Sequence, residues 1–527
     1  MLPKFCVNVL LETCLHSAVF LSTIPIKIPR TSFCETSLTR MRSFIAILAA
    51  LAATPAFAET VLGVYILSRH GDRTAKATPP TNLTDLGYEE VFTSGTYFRN
   101  RYIASGASNP IFGMNTDLVL ESQITASAPA DDNVLQNSAA GFLQALYPPV
   151  GEVLGSATLR NGTVVQTPLN GFQLIPIQTI STGTNSENSA WLQGSTGCLN
   201  AEISSNDYYS SSEYNQTYST TKDFYSGIYP MVQRTYTRSS TNYKIAYLLF
   251  DLLNVASIHN TSNNFPDANL LTPSTFFQLR TLADQHEFNL AYNASQPIRA
   301  ITGSIIAAQV IAALNTTITS SYQSKLNIQF NSYGGMQSFF GLANLTQENS
   351  DFFGVPDYAS TLAWELVTNA TVSATNLPST DDISVRFLFH NGTTSDISTP
   401  TEYPLFGSGR SPLPWNDFVS GMNKFAIGNQ ADWCKACGNS TGVCSSASLG
   451  DGAGSLNNNG STSSVCKSGG GGMSLAVAGV IGAMVTLAVI LGIELLIILV
   501  SGFRLVSKKR LAGSGTGAVP GNGGVKA

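Results

Sequence analysis

VLGVYILSRHGDR, residues 61 to 73, decides how this chain is read. The apolar run Val61 to Ser68 reads as a strand, and it empties into a loop carrying Arg69, His70, Gly71, Asp72 and Arg73 in succession. Two arginines around one histidine suit phosphoryl chemistry. An imidazole can attack phosphorus in line and hold the group as a phosphohistidine, while planar guanidinium forks bind the equatorial oxygens. Gly71 lets backbone and substrate approach closely.

Outward from the loop, LTDLGYEEVFTSGTYFRNRYI (Leu83 to Ile103) reads as a turn running into an amphipathic helix that ends in Arg99 and Arg101. This order of pieces resembles the histidine acid phosphatase family, which includes fungal phytases and has the phosphoglycerate mutase-like fold. Its members typically show R-H-G-x-R-x-P, an LTxxG helix, a third arginine and, much later, a His-Asp pair. Further segments extend the resemblance from about Val61 to about Cys437. They are SAAGFLQALYPP (Ser138 to Pro149), YKIAYLLFDLLNVASIHN (Tyr243 to Asn260), FNSYGGMQSFFGLANL (Phe330 to Leu345), VPDYASTLAWELV (Val355 to Val367) and VRFLF (Val385 to Phe389).

The resemblance implies an α/β fold, a helix-flanked sheet with an inserted, largely helical cap. Strands are expected at Val61 to Ser68, Lys325 to Phe330, Thr361 to Thr368 and Ile383 to Phe389, with cap helices at Tyr243 to Ile258 and Ile298 to Asn315. It also implies His70 as nucleophile, Arg69 and Arg73 as phosphate ligands, no cofactor, no metal, and a phosphorylated small molecule as substrate or ligand. His70 would stand at the C-terminal end of a strand, where open α/β sheets place their ligands.

The chain also departs from that pattern. Ala75 stands in place of the motif proline, and the third arginine falls at Val134, in a stretch with no arginine between Arg101 and Arg160. Against F-S-H-D-N-G-M the chain offers Phe330 to Met336, with Ser332 for the histidine and Tyr333 for the acid. Each lost donor removes on the order of 3 kcal/mol of transition-state stabilisation, and a phenol with a pKa near about 10 is a poor acid at low pH. Asp72, Asp131 and Asp132 are the carboxylates that could substitute if burial raised their pKa. His390, directly before the sequon Asn391-Gly392-Thr393, is read as a turn residue, and His259 and His286 as structural residues of the cap.

Only 12% of the 527 residues are charged, the net charge is -5, and eleven N-x-S/T sequons occur. No basic patch suits nucleic acid, and the sequon density points to a secretory route. Met41-Arg42, the apolar core that follows and Ala56-Phe57-Ala58 read as a signal peptide (41–58), with residues 1–40, His16 included, expected to be an untranslated upstream extension, the alternative being a genuine leader. Of eight cysteines, Cys198, Cys434, Cys437, Cys444 and Cys466 remain in the mature chain. Disulfides are favoured over zinc in an oxidising compartment, with the pairing open and Cys466 able to be the unpaired one.

The expected division is 59–149 and 323–444 for the α/β domain, 150–322 for the cap, 445–472 for a Gly/Ser/Asn tether, 473–500 for one transmembrane helix and 501–527 for the tail. Arg504, Lys508, Lys509 and Arg510 after the span imply a single-pass type I orientation, with the large domain at the cell surface or in the vacuolar lumen. Two functions follow. One is a surface phosphomonoesterase working through phosphohistidine, with a preference for acidic leaving groups; the alternative is a pseudophosphatase that binds a phosphorylated or anionic ligand without efficient turnover.

Overall fold

The computed structural model describes residues 59–130, 132–180, 196–260 and 265–445, all within the unit Met1–Asn457. The extension, signal peptide, tether from residue 446, span and tail, with Asp131 and Cys466, lie outside the described residues.

The strands are β1 (Thr60–Arg69), β2 (Ile124–Pro129), β3 (Ser156–Thr158), β4 (Val164–Gln166), β5 (Ile177–Ile180), β6 (Leu326–Asn331), β7 (Thr361–Thr368), β8 (Ile383–His390), β9 (Thr401–Glu402) and β10 (Leu413–Pro414). They form a mixed sheet in the order β10-β8-β7-β1-β6-β2-β5, with β9 on β8, and β3 and β4 make a separate hairpin. Strand β1 is central, parallel to β6 and antiparallel to β7. All three are buried along nearly their whole length, which is why their sequences are apolar runs rather than alternations.

Six helices matter for the site: α1 (Asp85–Tyr102), α2 (Asn133–Leu146), α3 (Ala246–His259), α4 (Pro273–Ala291), α5 (Ile301–Thr319) and α6 (Tyr333–Leu342). Val64 and Ile66 of β1 join Val91, Phe98 and Phe142 of α1 and α2 in one apolar cluster. Leu62, Tyr65 and Leu67, on the opposite face, join Ile306 and Val310 of α5 and Phe339 of α6 in another. The alternation of one strand therefore fixes a helix layer on each side. Helices α3 and α4 pack around a cluster of their own, with Leu249, Leu253, Leu279 and Ala283 at its centre. Helix α5 is apolar and long enough to cross a bilayer, but it is mostly buried and serves as a core helix.

Arg101 belongs to the scaffold. On β7, Glu365 is fully buried and accepts from Arg101 Nη2 at 2.7 Å, Tyr102 Oη at 2.6 Å and Arg386 Nη1 at 3.0 Å. A carboxylate in the sheet core is tolerable only with such partners. The cysteine pairing is Cys198–Cys437 and Cys434–Cys444, so the Cys-x-x-Cys residues bond to other partners and not to each other.

The LTxxG segment has a packing reason. Thr84 caps α1, its side chain accepting from Gly87 N at 3.0 Å. A Cβ on Gly87 would overlap the Asp72 carbonyl, and one on Gly71 would overlap the Gly87 carbonyl. The loop and the first turn of the helix meet backbone to backbone, which two glycines permit. Gly87→Ala is expected to destabilise the fold by ~1–3 kcal/mol, the usual range for overpacking, read as a lower melting temperature with a displaced His70 imidazole resonance.

Candidate active site

Strand β1 ends at Arg69, and the loop that follows carries its charges inside the protein. Arg69, His70 and Arg73 are 3%, 1% and 0% exposed. The His70 imidazole is fixed by its neighbour: Nδ1 lies 2.8 Å from the Gly71 carbonyl, which can only accept, so Nδ1 carries the proton. The lone pair therefore sits on Nε2, which has no hydrogen-bond partner among the described residues. Burial, reinforced by Arg69 and Arg73, holds the imidazole pKa well below its ordinary value. A neutral ring with an unengaged Nε2 is the form that attacks phosphorus.

The two arginines are held by the cap and by the loop before β7. Arg69 donates through Nη1 to the Pro356 carbonyl and through Nη2 to Tyr247 Oη at 3.4 Å. Arg73 pairs through Nη2 with Asp251 at 2.9 Å, both side chains being buried, and donates through Nη1 to the Thr74 carbonyl at 3.0 Å. Asp251 also accepts from the backbone N–H of Lys76 at 2.7 Å. The guanidinium of Arg69 lies 4.6 Å from the ring centre of Tyr358 and 5.1 Å from that of Tyr333. Burial raises the Tyr247 and Tyr358 phenols, so both stay protonated.

Three cations, Arg69, Arg73 and Lys76, thus share one carboxylate and the faces of Tyr247, Tyr333 and Tyr358. The gap left beside Arg69, Tyr247, Asp251 and Tyr358 is ≈ 20 Å³, about the room of one water molecule. The Nε atoms of Arg69 and Arg73 have no hydrogen-bond partner there. An anion fits the charge of this cluster but must displace the Asp251 carboxylate to reach it. No group of three or more potential metal ligands occurs among the described residues.

The positions to which the resemblance assigns the remaining family residues hold other contacts here. Helix α2 reaches the loop, with Gly71 N donating to Ser138 Oγ at 3.2 Å. Val134, one turn earlier in α2, is buried and apolar, and Asp132 serves as its helix cap, accepting from Leu135 N at 2.9 Å. Ser332 precedes α6 as its N-cap residue. Tyr333 directs its hydroxyl to Glu287 of α4 at 2.8 Å, and Glu287 in turn faces His286 Nδ1 at 2.8 Å. Asp72 is turned into the scaffold, accepting from Thr84 Oγ1 at 2.5 Å and facing His259 Nε2 at 2.6 Å. His390 closes a turn, 2.9 Å from the Gly392 carbonyl and 2.8 Å from Ser398 Oγ.

Sequence reasoning brought Arg69, His70 and Arg73 together and missed Asp251, Tyr247 and Tyr358. It also read His259 as a cap residue only, whereas it bridges the cap to the loop through Asp72. One signal for Asp251 was available: a single acid inside the apolar run YLLFDLLNV of α3 needs a buried cation.

The family model of the histidine phosphatase superfamily (branch 2) matches residues 77–390, more than half of the 527. Among solved structures, the chain is similar to the apo phytase of Hafnia alvei, at 14% identity and a TM-score of 0.45 over 73% of this chain and 99% of that one. It is also similar to the phytase of Klebsiella sp. ASR1, at 11% and 0.47 over 70% and 95%. A third is the Bifidobacterium longum multiple inositol polyphosphate phosphatase complexed with phosphate, at 10% and 0.41 over 72% and 97%. No curated protein matches the sequence.

The buried, neutral state of His70 sets a pH dependence. Below its unfolded pKa of about 6.5 the unfolded chain binds a proton that the folded ring refuses, so stability falls as pH drops from there toward the depressed folded value. In nitrogen-15 spectra His70 is expected to keep a neutral, Nδ1-protonated pattern at pH 5; an imidazolium pattern there would contradict it.

Proposed function

The chain belongs to the histidine phosphatase superfamily, branch 2, and from that membership we propose that it is a pseudophosphatase, binding a phosphorylated small molecule at the Arg69–Arg73 loop without efficient turnover. Membership supports a phosphatase-type function in the broad sense. The observation that carries the narrower reading is Tyr333. It stands where the resemblance puts the leaving-group acid, and its hydroxyl is committed to Glu287. The carboxylates nearest the loop are held as well, Asp251 by Arg73, Asp72 through Oδ2 by His259 and Thr84, and Glu90, its pKa pushed up to about 7 by burial, by the Asp72 N–H at 2.7 Å. Without an acid, an alkoxide must leave unprotonated, which forfeits a factor of about 10²–10⁴. Buried Val134 supplies no third donor.

His70 favours the second reading, a phosphomonoesterase working through phosphohistidine. Its tautomer and unengaged Nε2 are those a nucleophile needs. Esters with acidic leaving groups require little protonation and would be the ones hydrolysed.

We further propose a single-pass type I glycoprotein of the cell surface or vacuole. The eleven sequons, the apolar segment 473–500 with its basic flank, and two disulfides suited to an oxidising compartment support that placement.

The test is phosphate release by the full glycosylated chain at acidic pH from an aryl and an alkyl phosphate, beside His70→Ala. Equal background from both proteins is expected; aryl-phosphate hydrolysis that vanishes in H70A would instead favour the esterase. Restoring the family residues with Ser332→His and Tyr333→Asp together should raise the alkyl-ester rate by about 10²-fold or more.

Asp251 is expected to set the threshold for anion binding. Asp251→Asn leaves Arg73 buried without its counter-ion, a loss of ~3–5 kcal/mol. Its melting temperature should fall without phosphate and recover with inorganic phosphate by more than the parent's does. An equal phosphate shift in both would remove Asp251 from the anion site.

A further inference from the structure

Away from the arginine loop, a cavity of ≈ 680 Å³ lies between α4 and the segment Ser350–Val355. Helix α4 supplies Phe277, Thr281, Gln285 and Phe288, spaced so that they share one face of the helix, and Phe353 stands opposite. Phe277 is 73% exposed and Phe353 46% exposed, and together they give one cavity two open aromatic faces. Phe353 packs edge-on against Phe288 at 4.9 Å.

The cation in the wall, Arg280, is already matched. Arg280 pairs with Asp357 at 2.6 Å and with Asp284 at 3.5 Å, and Asp284 accepts from Val355 N at 2.8 Å. Glu213 accepts from Gln285 Nε2 at 3.0 Å and Asn289 Nδ2 at 3.1 Å. A surface offering aromatic faces, hydroxyls and amides, with its one cation paired and its remaining charge, on Glu213 and Asp351, negative, disfavours anions and suits a neutral polyhydroxylated ligand: C–H faces of a sugar ring stack on phenylalanine, and its hydroxyls meet the polar groups.

Asn391 also lines this cavity, is exposed, and opens the sequon Asn391-Gly392-Thr393. Its Oδ1 is fixed, accepting from Asp357 N at 2.7 Å and from Ser360 Oγ at 3.3 Å. The Nδ2 that an N-glycan would use donates to no group among the described residues. We propose that Asn391 carries an N-glycan whose proximal sugars lie in this cavity against Phe277 and Phe353. In its attachment, the bond from Nδ2 to C1 of N-acetylglucosamine forms as the bond from C1 to a lipid pyrophosphate donor breaks, and the amide gives up one proton. The glycan is then part of the wall between the cap and the sheet domain, covering apolar surface that the polypeptide leaves open. This inference rests on the secretory reading above and is independent of whether the arginine loop turns over phosphate.

The experiment uses the full chain made in a eukaryotic host that glycosylates. Glycopeptide mass spectrometry gives occupancy at each sequon, followed by timed endoglycosidase release from the native protein. Asn161, exposed on the β3–β4 hairpin, serves as the open control. A glycan seated nine-tenths of the time is released about tenfold more slowly than a free one, so that ratio is expected between Asn391 and Asn161. In Phe277→Ala, a change at an exposed side chain outside the core, the ratio should collapse toward one. Occupied sequons elsewhere with a bare Asn391, equal release rates, or protection that survives F277A would each overturn the proposal. A chain bare at every sequon would overturn the secretory reading together with it.

Discussion

Burying cations at the end of β1 is the constraint from which the site follows. Arg69 and Arg73 lie in the interior with almost no solvent contact, and an unpaired guanidinium there would be very costly. The chain answers with groups from distant segments: Asp251 and Tyr247 from α3, the Pro356 carbonyl and Tyr358 from the segment before β7, and Tyr333 from the start of α6. Because α3 supplies the counter-ion, the cap is held on the loop by electrostatics as well as by apolar packing. His259 on Asp72 adds a second bridge from the same helix.

The same pairing shapes the chemistry. An arginine that binds phosphate must be buried enough for its charge to be felt, yet free enough to meet the anion. Here Arg73 is buried and already matched, so an anion arriving at the loop would compete with Asp251 for it. His70 retains the tautomer and neutrality of a nucleophile, while Tyr333 spends its proton on Glu287. In the proposed reading the two roles part: the His70 tautomer is set by one local carbonyl, whereas the position the resemblance gives to the acid holds a phenol bonded to Glu287.

What could be read along the chain is local or repeated. The run Val61 to Ser68 became the centre of the sheet because a strand buried on both faces must be apolar throughout. Thr361 to Thr368 likewise became β7 with the expected bounds. The cap helices began about three residues later than expected, at Ala246 and Ile301, since short 3-10 turns at Tyr243–Ile245 and Pro297–Ala300 precede them. The glycines of the R-H-G and LTxxG segments were visible as motifs, but their mutual contact was not, because it joins backbone atoms that no side-chain pattern reports.

The sequence by itself determined the strand, the loop with His70 between Arg69 and Arg73, and the absence of an arginine at Val134 and of an acid at Tyr333, since each is a matter of residue identity in one stretch. Only the tertiary structure decided that Asp251 neutralises Arg73, that Cys434 and Cys437 part company for Cys444 and Cys198, and that Asn391 meets an aromatic cavity built by α4. These join residues far apart in the chain, and charge neutralisation, disulfide geometry and cavity shape act through distance in space, which linear order does not encode.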